Sequence, residues 1–186
     1  MVSTDRIADM WTDASDDYDR IVSRELRNPR DVYYWRHELD TRLGDEPRDV
    51  LDVGCGPGFF SIMLSRLGHR VTSLDASEGM LRAARRNLTW YGIEPHVRHG
   101  DVVTLDGVAD SSVDAVVSRD VVWTLHDPAA AYRRWFQVLR PGGLVLVYDG
   151  NYRTDRTGVR HSIWKALSNG LIMLTCLLYT SPSPRD

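Results

Sequence analysis

Apolar and polar positions alternate along the chain with two different periods, which predict strands and helices in turn. Short apolar-rich runs, bounded by glycine, proline or charged residues, predict strands at 50–52, 70–75, 95–98, 115–118 and 144–148. Between these runs, apolar residues recur every three or four positions, as on one face of an amphipathic helix. Strands that alternate with helices are typical of an α/β fold built on a parallel sheet.

The first part of the chain has helical periodicity and no strand pattern. Asn28 and Pro29 form an N-cap followed by proline at the first helical position, and Gly44 supplies a C-terminal stop. We therefore expect a helical cap over residues 1–45 and a sheet-bearing core over residues 46–152.

The first predicted strand leads directly into a glycine-rich turn, V-L-D-V-G-C-G-P-G-F-F over residues 50–60. Gly54, Gly56 and Gly58 occupy alternate positions, so the backbone can adopt positive φ and approach a ligand with no Cβ in the way. The helix that follows presents free N–H groups at its start. These features favour a seat for a nucleotide-like molecule, although any α/β crossover can carry a glycine-rich turn.

The spacing and charge of this turn differ from those of a dinucleotide site. The dinucleotide pattern G-x-G-x-x-G requires a third glycine where this chain has Phe59. Asp52, at the end of the strand, would repel a pyrophosphate and attract the ammonium group of an amino acid. The predicted ligand is therefore zwitterionic.

Two motifs resemble the class I S-adenosylmethionine (SAM) dependent methyltransferases. Asp52 and the three glycines match motif I of that family, D-x-G-x-G-x-G, and the run L-R-P-G-G at 139–143 resembles its small-molecule branch, which includes quinone-biosynthesis enzymes. The resemblance covers residues 11–151. It implies a Rossmann-like, doubly wound, mostly parallel sheet in three layers, SAM as the cofactor, and methyl transfer to a small metabolite.

The resemblance also implies roles for residues at successive strand ends. Asp75 would accept hydrogen bonds from both ribose hydroxyls, Asp101 and Val102 would bind the adenine edge, and Met80 would line its face. Asp75 could instead cap the next helix, although Ser77 is better placed to do so. Asp101 could belong to a plain turn, and Met80 could be a core residue. The complete set of predicted cofactor-binding residues is Tyr18, Asp52, Gly54, Cys55, Gly56, Gly58, Asp75, Ala76, Met80, Asp101, Val102 and Ser118. We expect Asp52, Asp75 and Asp101 to surround one crevice.

Candidate catalytic residues follow the fourth predicted strand, where strand order reverses in doubly wound sheets. His126 and Asp120 are the candidate bases for removing a proton from the methyl acceptor. Trp123 could form an apolar wall for the acceptor. A solvated histidine and a core tryptophan are the alternatives.

Composition limits the choice of partners. The net charge of -3 and a pI near 6.1 give no basic surface for nucleic acid. The two cysteines have neither metal-ligand nor disulfide spacing, so we expect no metal. The sequence shows no signal peptide and no apolar run that could span a bilayer, which predicts a cytoplasmic protein without a membrane partner. The oligomeric state is not predicted.

The end of the chain departs from the family pattern. Residues 153–175 would begin a truncated substrate or lid region, and residues 176–186, C-L-L-Y-T-S-P-S-P-R-D, match what a sequencing-library transposon adapter encodes. We therefore expect the last two strands of the family fold to be missing and the fifth strand to have an open edge. A non-catalytic SAM-binding regulatory domain and a nucleotide-dependent oxidoreductase are the alternative functions.

Overall fold

The computed structural model describes residues 4–150 and 177–180 and contains six helices and six strands in that part of the chain. The helices are α1 (Thr4–Asp13), α2 (Ser15–Arg27), α3 (Pro29–Leu43), α4 (Phe59–Arg66), α5 (Glu78–Trp90) and α6 (Pro128–Val138). The strands are β1 (Asp49–Val53), β2 (Arg70–Asp75), β3 (Val97–His99), β4 (Val113–Arg119), β5 (Leu139–Tyr148) and β6 (Leu177–Thr180), and a short 3-10 helix covers Val122–Thr124.

The strands form one sheet in the order β3-β2-β1-β4-β5-β6. The first five are parallel, with Val50 of β1 opposite both Val71 of β2 and Ala115 of β4. The strand order reverses between β1 and β4, because β2 and β3 lie on one side of β1 and β4 and β5 lie on the other. The predicted doubly wound, mostly parallel α/β fold is confirmed.

Helices cover both faces of the sheet and create two separate hydrophobic cores. Val50 points to the core that contains residues of α2, α3 and α4, whereas its neighbour Leu51 points to the core beneath α6. Successive residues of a strand face opposite sides, so this alternation places an apolar residue on each face. Trp135 of α6 is fully buried, and its indole N–H donates to the carbonyl of Val102 at 2.8 Å.

The local signals for helix starts and stops act as predicted. The side chain of Asn28 accepts the N–H of Arg30 at the start of α3, and Gly44 ends that helix with φ 72°. Ser77 caps α5 by accepting the N–H of Met80. These caps satisfy backbone donors that a helix start otherwise leaves without partners.

The fifth strand begins earlier than the apolar pattern indicates. The apolar pattern predicts a strand over 144–148, after the R-P-G-G run, but β5 begins at Leu139, which pairs with Val113. The pairing then shifts register between Val113 and Ala115. An irregularity of this kind accommodates the extra residues within the strand and explains why the glycines do not end it.

The expectation of an open edge on β5 is wrong for the described residues. β6 pairs antiparallel with β5, with Leu144 opposite Thr180 and Val147 opposite Leu177. Unpaired N–H and C=O groups on an edge strand favour such an addition, and the run L-L-Y-T is rich in residues that suit a strand. The predicted lid region at 153–175 lies outside the described residues, and the adapter origin of 176–186 stays a prediction.

Candidate functional site

A cavity lies at the carboxyl ends of β1, β2 and β4, where the direction of the sheet order reverses. Open α/β sheets bind ligands at this position. The walls come from α1 and α2, the glycine turn, the segments after β2 and β3, and the turn after β4. The lining residues are Ile7, Ala8, Trp11, Tyr18, Gly54, Gly56, Asp75, Ala76, Ser77, Met80, Val102, Val103, Arg119, Asp120, Val121, Thr124, Leu125 and His126.

The three glycines of the turn have different surroundings. Gly54 and Gly56 line the cavity with φ of 70° and 52°, so both use backbone conformations that favour glycine. A Cβ built on Gly54 would lie 2.3 Å from Cγ2 of Val121. Gly58 is the N-cap of α4, with φ 92°. A Cβ built on Gly58 would lie 3.6 Å from Cα of Ala84. Gly58 therefore serves helix packing, which leaves Gly54 and Gly56 as the glycines at the cavity.

Asp75 is held in the cavity wall by backbone donors. The N–H of Gly56 donates to its Oδ2 at 2.9 Å, and the N–H of Ser77 donates to its Oδ1 at 2.8 Å. Burial raises the pKa of Asp75, and the amides of Ser77 and Gly56 act in the opposite direction. A carboxylate has about four lone-pair positions, so these two bonds leave acceptor capacity for a ligand.

Asp52 does not line the cavity, contrary to the predicted contact with an ammonium group. Its side chain shares the face of Val50, toward α4, and is 2% exposed. Its Oδ2 accepts the hydroxyl of Ser61 at 2.5 Å, and that hydroxyl in turn accepts from Ser73 at 2.8 Å. Burial raises the pKa of Asp52 to about 7, while the Ser61 hydrogen bond acts to lower it. Asp52 therefore lies beneath the glycine turn.

Three other predicted cofactor residues also lie outside the cavity wall. The thiol of Cys55 packs with Leu81 of α5, and burial raises its pKa well above the ordinary value. Ser118 is fully buried and donates to the carbonyl of Val53, which ties β4 to β1. The carboxylate of Asp101 accepts the N–H of Val103 at 2.7 Å, as in a local turn. Of the three carboxylates expected around one crevice, only Asp75 lines it.

Aromatic residues of α1 and α2 cover the cavity. The rings of Trp11 and Tyr18 meet edge to face with centroids 5.6 Å apart, and Trp11 meets Trp123 in the same way at 6.4 Å. Burial raises the pKa of Tyr18 to about 12. Ala76, Met80, which is 2% exposed, and Val102 are the other predicted cofactor residues in the lining.

Arg119 lines the cavity, although no cofactor or catalytic role was predicted for it. Its guanidinium pairs with Glu25 of α2 at 2.8 Å and lies over the rings of Phe59 and Trp35, at 4.7 Å and 5.1 Å from their centroids. Nε is 3.4 Å from the carboxylate of Asp120. Burial acts to lower the pKa of Arg119, but its acidic partners raise it overall. In the sequence, only its place directly after the fourth predicted strand pointed to this residue.

Both candidate bases belong to the cavity lining. Asp120 adopts φ 58° directly after β4, an unusual conformation for a residue other than glycine. His126 lies at an exposed position beyond the 3-10 helix. Strained backbone of this kind is common where side chains are aimed at a ligand. The geometry brings Asp120 and His126 to the same cavity as Asp75.

The cavity is smaller than a nucleoside-containing ligand. The space open to a water-sized sphere is about 80 Å³, whereas small-molecule sites typically measure roughly 300–1,000 Å³. The donor and acceptor set fits a zwitterionic nucleoside, because Asp75 and Asp120 supply carboxylates and Met80, Val102 and Val103 supply an apolar slot. To admit such a ligand, the cover formed by α1 would have to move outward.

The described residues offer neither a metal site nor a helix that could span a membrane. In that part of the chain, no three His, Cys, Asp or Glu side chains are grouped so that they could hold a metal ion. None of the described helices combines the length and the apolar character needed to cross a bilayer.

Comparison with known proteins gives a family match. The model of a family described as "Methyltransferase domain" matches residues 51–147, more than half of the chain. A protein of Mycolicibacterium smegmatis, named a probable S-adenosylmethionine-dependent methyltransferase, is 36% identical over 130 residues, which cover 67% of this chain and 49% of that protein. The ubiquinone biosynthesis O-methyltransferase of Ruegeria pomeroyi is 37% identical over 59% of this chain and 45% of its own length.

The chain corresponds to only part of each of these relatives. It spans about half the length of the two relatives. Among solved structures, a protein of Methanococcus maripaludis aligns with a TM-score of 0.68 and 24% identity, over 85% of this chain and 71% of that one. At this identity the structural match supports the fold alone.

Proposed function

Because this chain belongs to the methyltransferase domain family, we propose that it transfers a methyl group from SAM to a small molecule. Its relatives are named SAM-dependent and ubiquinone biosynthesis methyltransferases, which supports SAM as the donor. The net charge of -3 favours a small acceptor over a nucleic acid. The cytoplasmic location expected from the sequence stays a prediction.

The observation that carries this proposal is the position of Asp75. Its carboxylate lies in the cavity at the point where strand order reverses, bonded to the turn glycine Gly56. In a doubly wound fold the end of the second strand is next to a bound ribose. Asp75 would accept hydrogen bonds from both ribose hydroxyls through its remaining lone pairs.

Other lining residues would bind the remaining parts of the cofactor. Met80 and Val102 would contact the adenine ring, and the backbone of Gly54 and Gly56 would approach the amino acid portion. Asp120 is the second carboxylate of the cavity lining beside Asp75, whereas Asp52 is sealed beneath the turn. We therefore assign the ammonium contact to Asp120 in place of Asp52.

SAM supplies a methyl group that is already activated by its sulfonium, so the protein needs no nucleophile of its own. The side chains of this chain would hold the acceptor in line with that methyl and exclude water through the cover of Trp11 and Tyr18. An oxygen or nitrogen acceptor must also lose a proton. His126, at the exposed side of the cavity, is then the proposed base.

Calorimetric titrations with SAM and with NADH test the cofactor, since an oxidoreductase would bind NADH instead. Incubation of the protein with isotopically labelled SAM and a metabolite extract then tests transfer. We expect SAM binding and a labelled small molecule. SAM binding without label in any extract fraction would favour a regulatory domain over an enzyme.

A further inference from the structure

We propose that Asp149 is a positioning residue whose carboxylate fixes the turn of residues 120–124 at the wall of the cavity. Asp149 directly follows β5, and its Oδ2 accepts the N–H of Trp123 at 2.9 Å. The backbone amides of Val121 and Val122 lie near enough to act with that of Trp123 in lowering the pKa of this carboxyl. One side chain thus accepts the N–H of Trp123 and faces the two preceding amides, as a cap does at the start of a helix.

The turn that Asp149 holds follows β4 and forms part of the cavity wall. Asp120, Val121 and Thr124 line the cavity, and Val121 lies directly over Gly54. Trp123 is outside the lining but contacts Trp11 of the cover, with ring centroids 6.4 Å apart. The position of this turn therefore determines both the wall beside the glycine turn and the contact with the cover.

The turn is strained, so it needs external support. Asp120 adopts φ 58°, and the indole N–H of Trp123 donates to the carbonyl of Asp120 at 2.9 Å. The N–H of Thr124 donates to the carbonyl of Val121 within the same turn. Outside the turn, Tyr148 accepts the N–H of Asp120 from the end of β5, next to Asp149. Support for this conformation therefore comes from the end of β5.

Asp149 occupies a position that is costly for a carboxylate. Its Oδ1 is buried without a hydrogen-bond partner in the part of the chain that the structure describes. Burial raises the pKa of Asp149 to about 6, while the amides of the turn lower it. The titratable groups that interact with it are Asp120, which raises its pKa, and Tyr132 of α6. A carboxylate kept here at such a cost is better explained by the turn it orders than by stability.

Hydrogen exchange of the full chain without ligand tests this role. Asp149→Ala should speed exchange of the amides at 121–123 by about tenfold, the factor expected for losing a hydrogen bond to a charged acceptor. Exchange in β1 should not change. Asp127→Ala is the matched control, because Asp127 also accepts a backbone N–H, from Ala130 in α6, but does not hold the turn. Asp149→Asn keeps one acceptor oxygen and should restore part of the protection.

Three results would overturn the proposal. They are unchanged exchange at 121–123 in both Asp149 variants, faster exchange throughout β1, and an equal effect from Asp127→Ala. If Asp149→Ala does not fold, Asp149→Asn decides by the same criterion, with a smaller increase confined to the turn as the expected result.

The link to the cofactor rests on the function proposed above and is tested with S-adenosylhomocysteine as the probe. Asp149→Ala should raise the Kd of S-adenosylhomocysteine by about fivefold or more, because the wall beside Gly54 is no longer fixed. An unchanged Kd with a loosened turn would overturn the role at the cavity. If the unchanged protein does not bind this probe, the proposed function fails, and the exchange pattern still decides the role of Asp149.

Discussion

The backbone of Gly56 and the side chain of Asp75 are joined at the cavity, where the Gly56 N–H donates to Oδ2 of Asp75 at 2.9 Å. This bond connects the glycine turn after β1 to the end of β2. Because Ser77 donates to the other oxygen, the carboxylate has a fixed orientation before any ligand arrives. Preorganised acceptors lose little entropy on binding, which is the property that a cofactor site requires.

The contact between Gly54 and Val121 predicts an unusual sensitivity to a single methyl group. In Gly54→Ala, the new Cβ would lie 2.3 Å from Cγ2 of Val121 in a backbone with φ 70°. Gly92→Ala is a matched control, because Gly92 has φ 72° and nothing within 4 Å of such a Cβ. Both substitutions carry left-handed strain of about 1–2 kcal/mol.

We expect urea denaturation to show an additional loss of about 1–3 kcal/mol in the free energy of unfolding for Gly54→Ala, the usual range for overpacking. Equal losses for the two variants would mean that Val121 moves aside freely, and that the turn after β4 is not fixed against Gly54.

The buried carboxyl of Asp52 predicts a specific dependence of stability on pH. Burial raises its pKa to about 7 in the folded protein, whereas the pKa of an aspartate in an unfolded chain is about 3.9. Between these values the folded state holds a proton that the unfolded state has released. The contribution of Asp52 to the free energy of unfolding is therefore largest below about pH 4 and is lost as the pH rises through about 7.

Asp52→Asn removes the titrating group, and the amide can still accept from Ser61. The free energy of unfolding of the unchanged protein should fall relative to that of Asp52→Asn as pH rises from about 5 to 7, by at most about 1.4 kcal/mol per pH unit. Denaturation curves at several pH values measure the difference. Parallel pH profiles would contradict a raised pKa at Asp52.

The small cavity predicts that the cover controls ligand exchange. Trp11 contacts Tyr18 and Trp123 edge to face, and such pairs contribute about 0.5–1.5 kcal/mol each. In Trp11→Ala, dissociation of S-adenosylhomocysteine in stopped-flow experiments should therefore be at least about fivefold faster. Trp90→Ala is the control, since Trp90 is 83% exposed and does not line the cavity. Equal dissociation rates for Trp11→Ala and the unchanged protein would show that this helix does not cover the ligand.

The fold was largely predictable because its signals are local and agree with one another. The strand at 70–75 has the bounds that its apolar run indicates, and Ser77 caps the next helix as its position suggests. The start of β5 was not predictable from the pattern, because pairing with Val113 extends it through two glycines. The β6 strand forms by pairing with β5, and no local pattern in the chain predicts this long-range pairing.

Residues that line the candidate cavity through the position of their backbone were predictable from the sequence. Residues whose contribution depends on the direction of the side chain were less predictable. Gly54, Gly56 and Asp75 follow from the turn and the strand end, and all three line the cavity. Asp52 matches the same motif but points toward Ser61, because strand alternation places it on the other face. Arg119 pairs with Glu25 of α2, which lies far away in the sequence. The local motif alone therefore could not predict this interaction.

The most direct test of the central claim is a calorimetric titration of S-adenosylhomocysteine into the unchanged protein and into Asp75→Asn. We expect one binding site in the unchanged protein and a loss of about tenfold to a hundredfold in affinity for the variant, because hydrogen bonds to a charged acceptor are weakened. Asp106→Asn, at an exposed carboxylate outside the cavity, should bind like the unchanged protein. Equal affinity for Asp75→Asn and the unchanged protein would contradict the assignment of this cavity to the nucleoside of SAM.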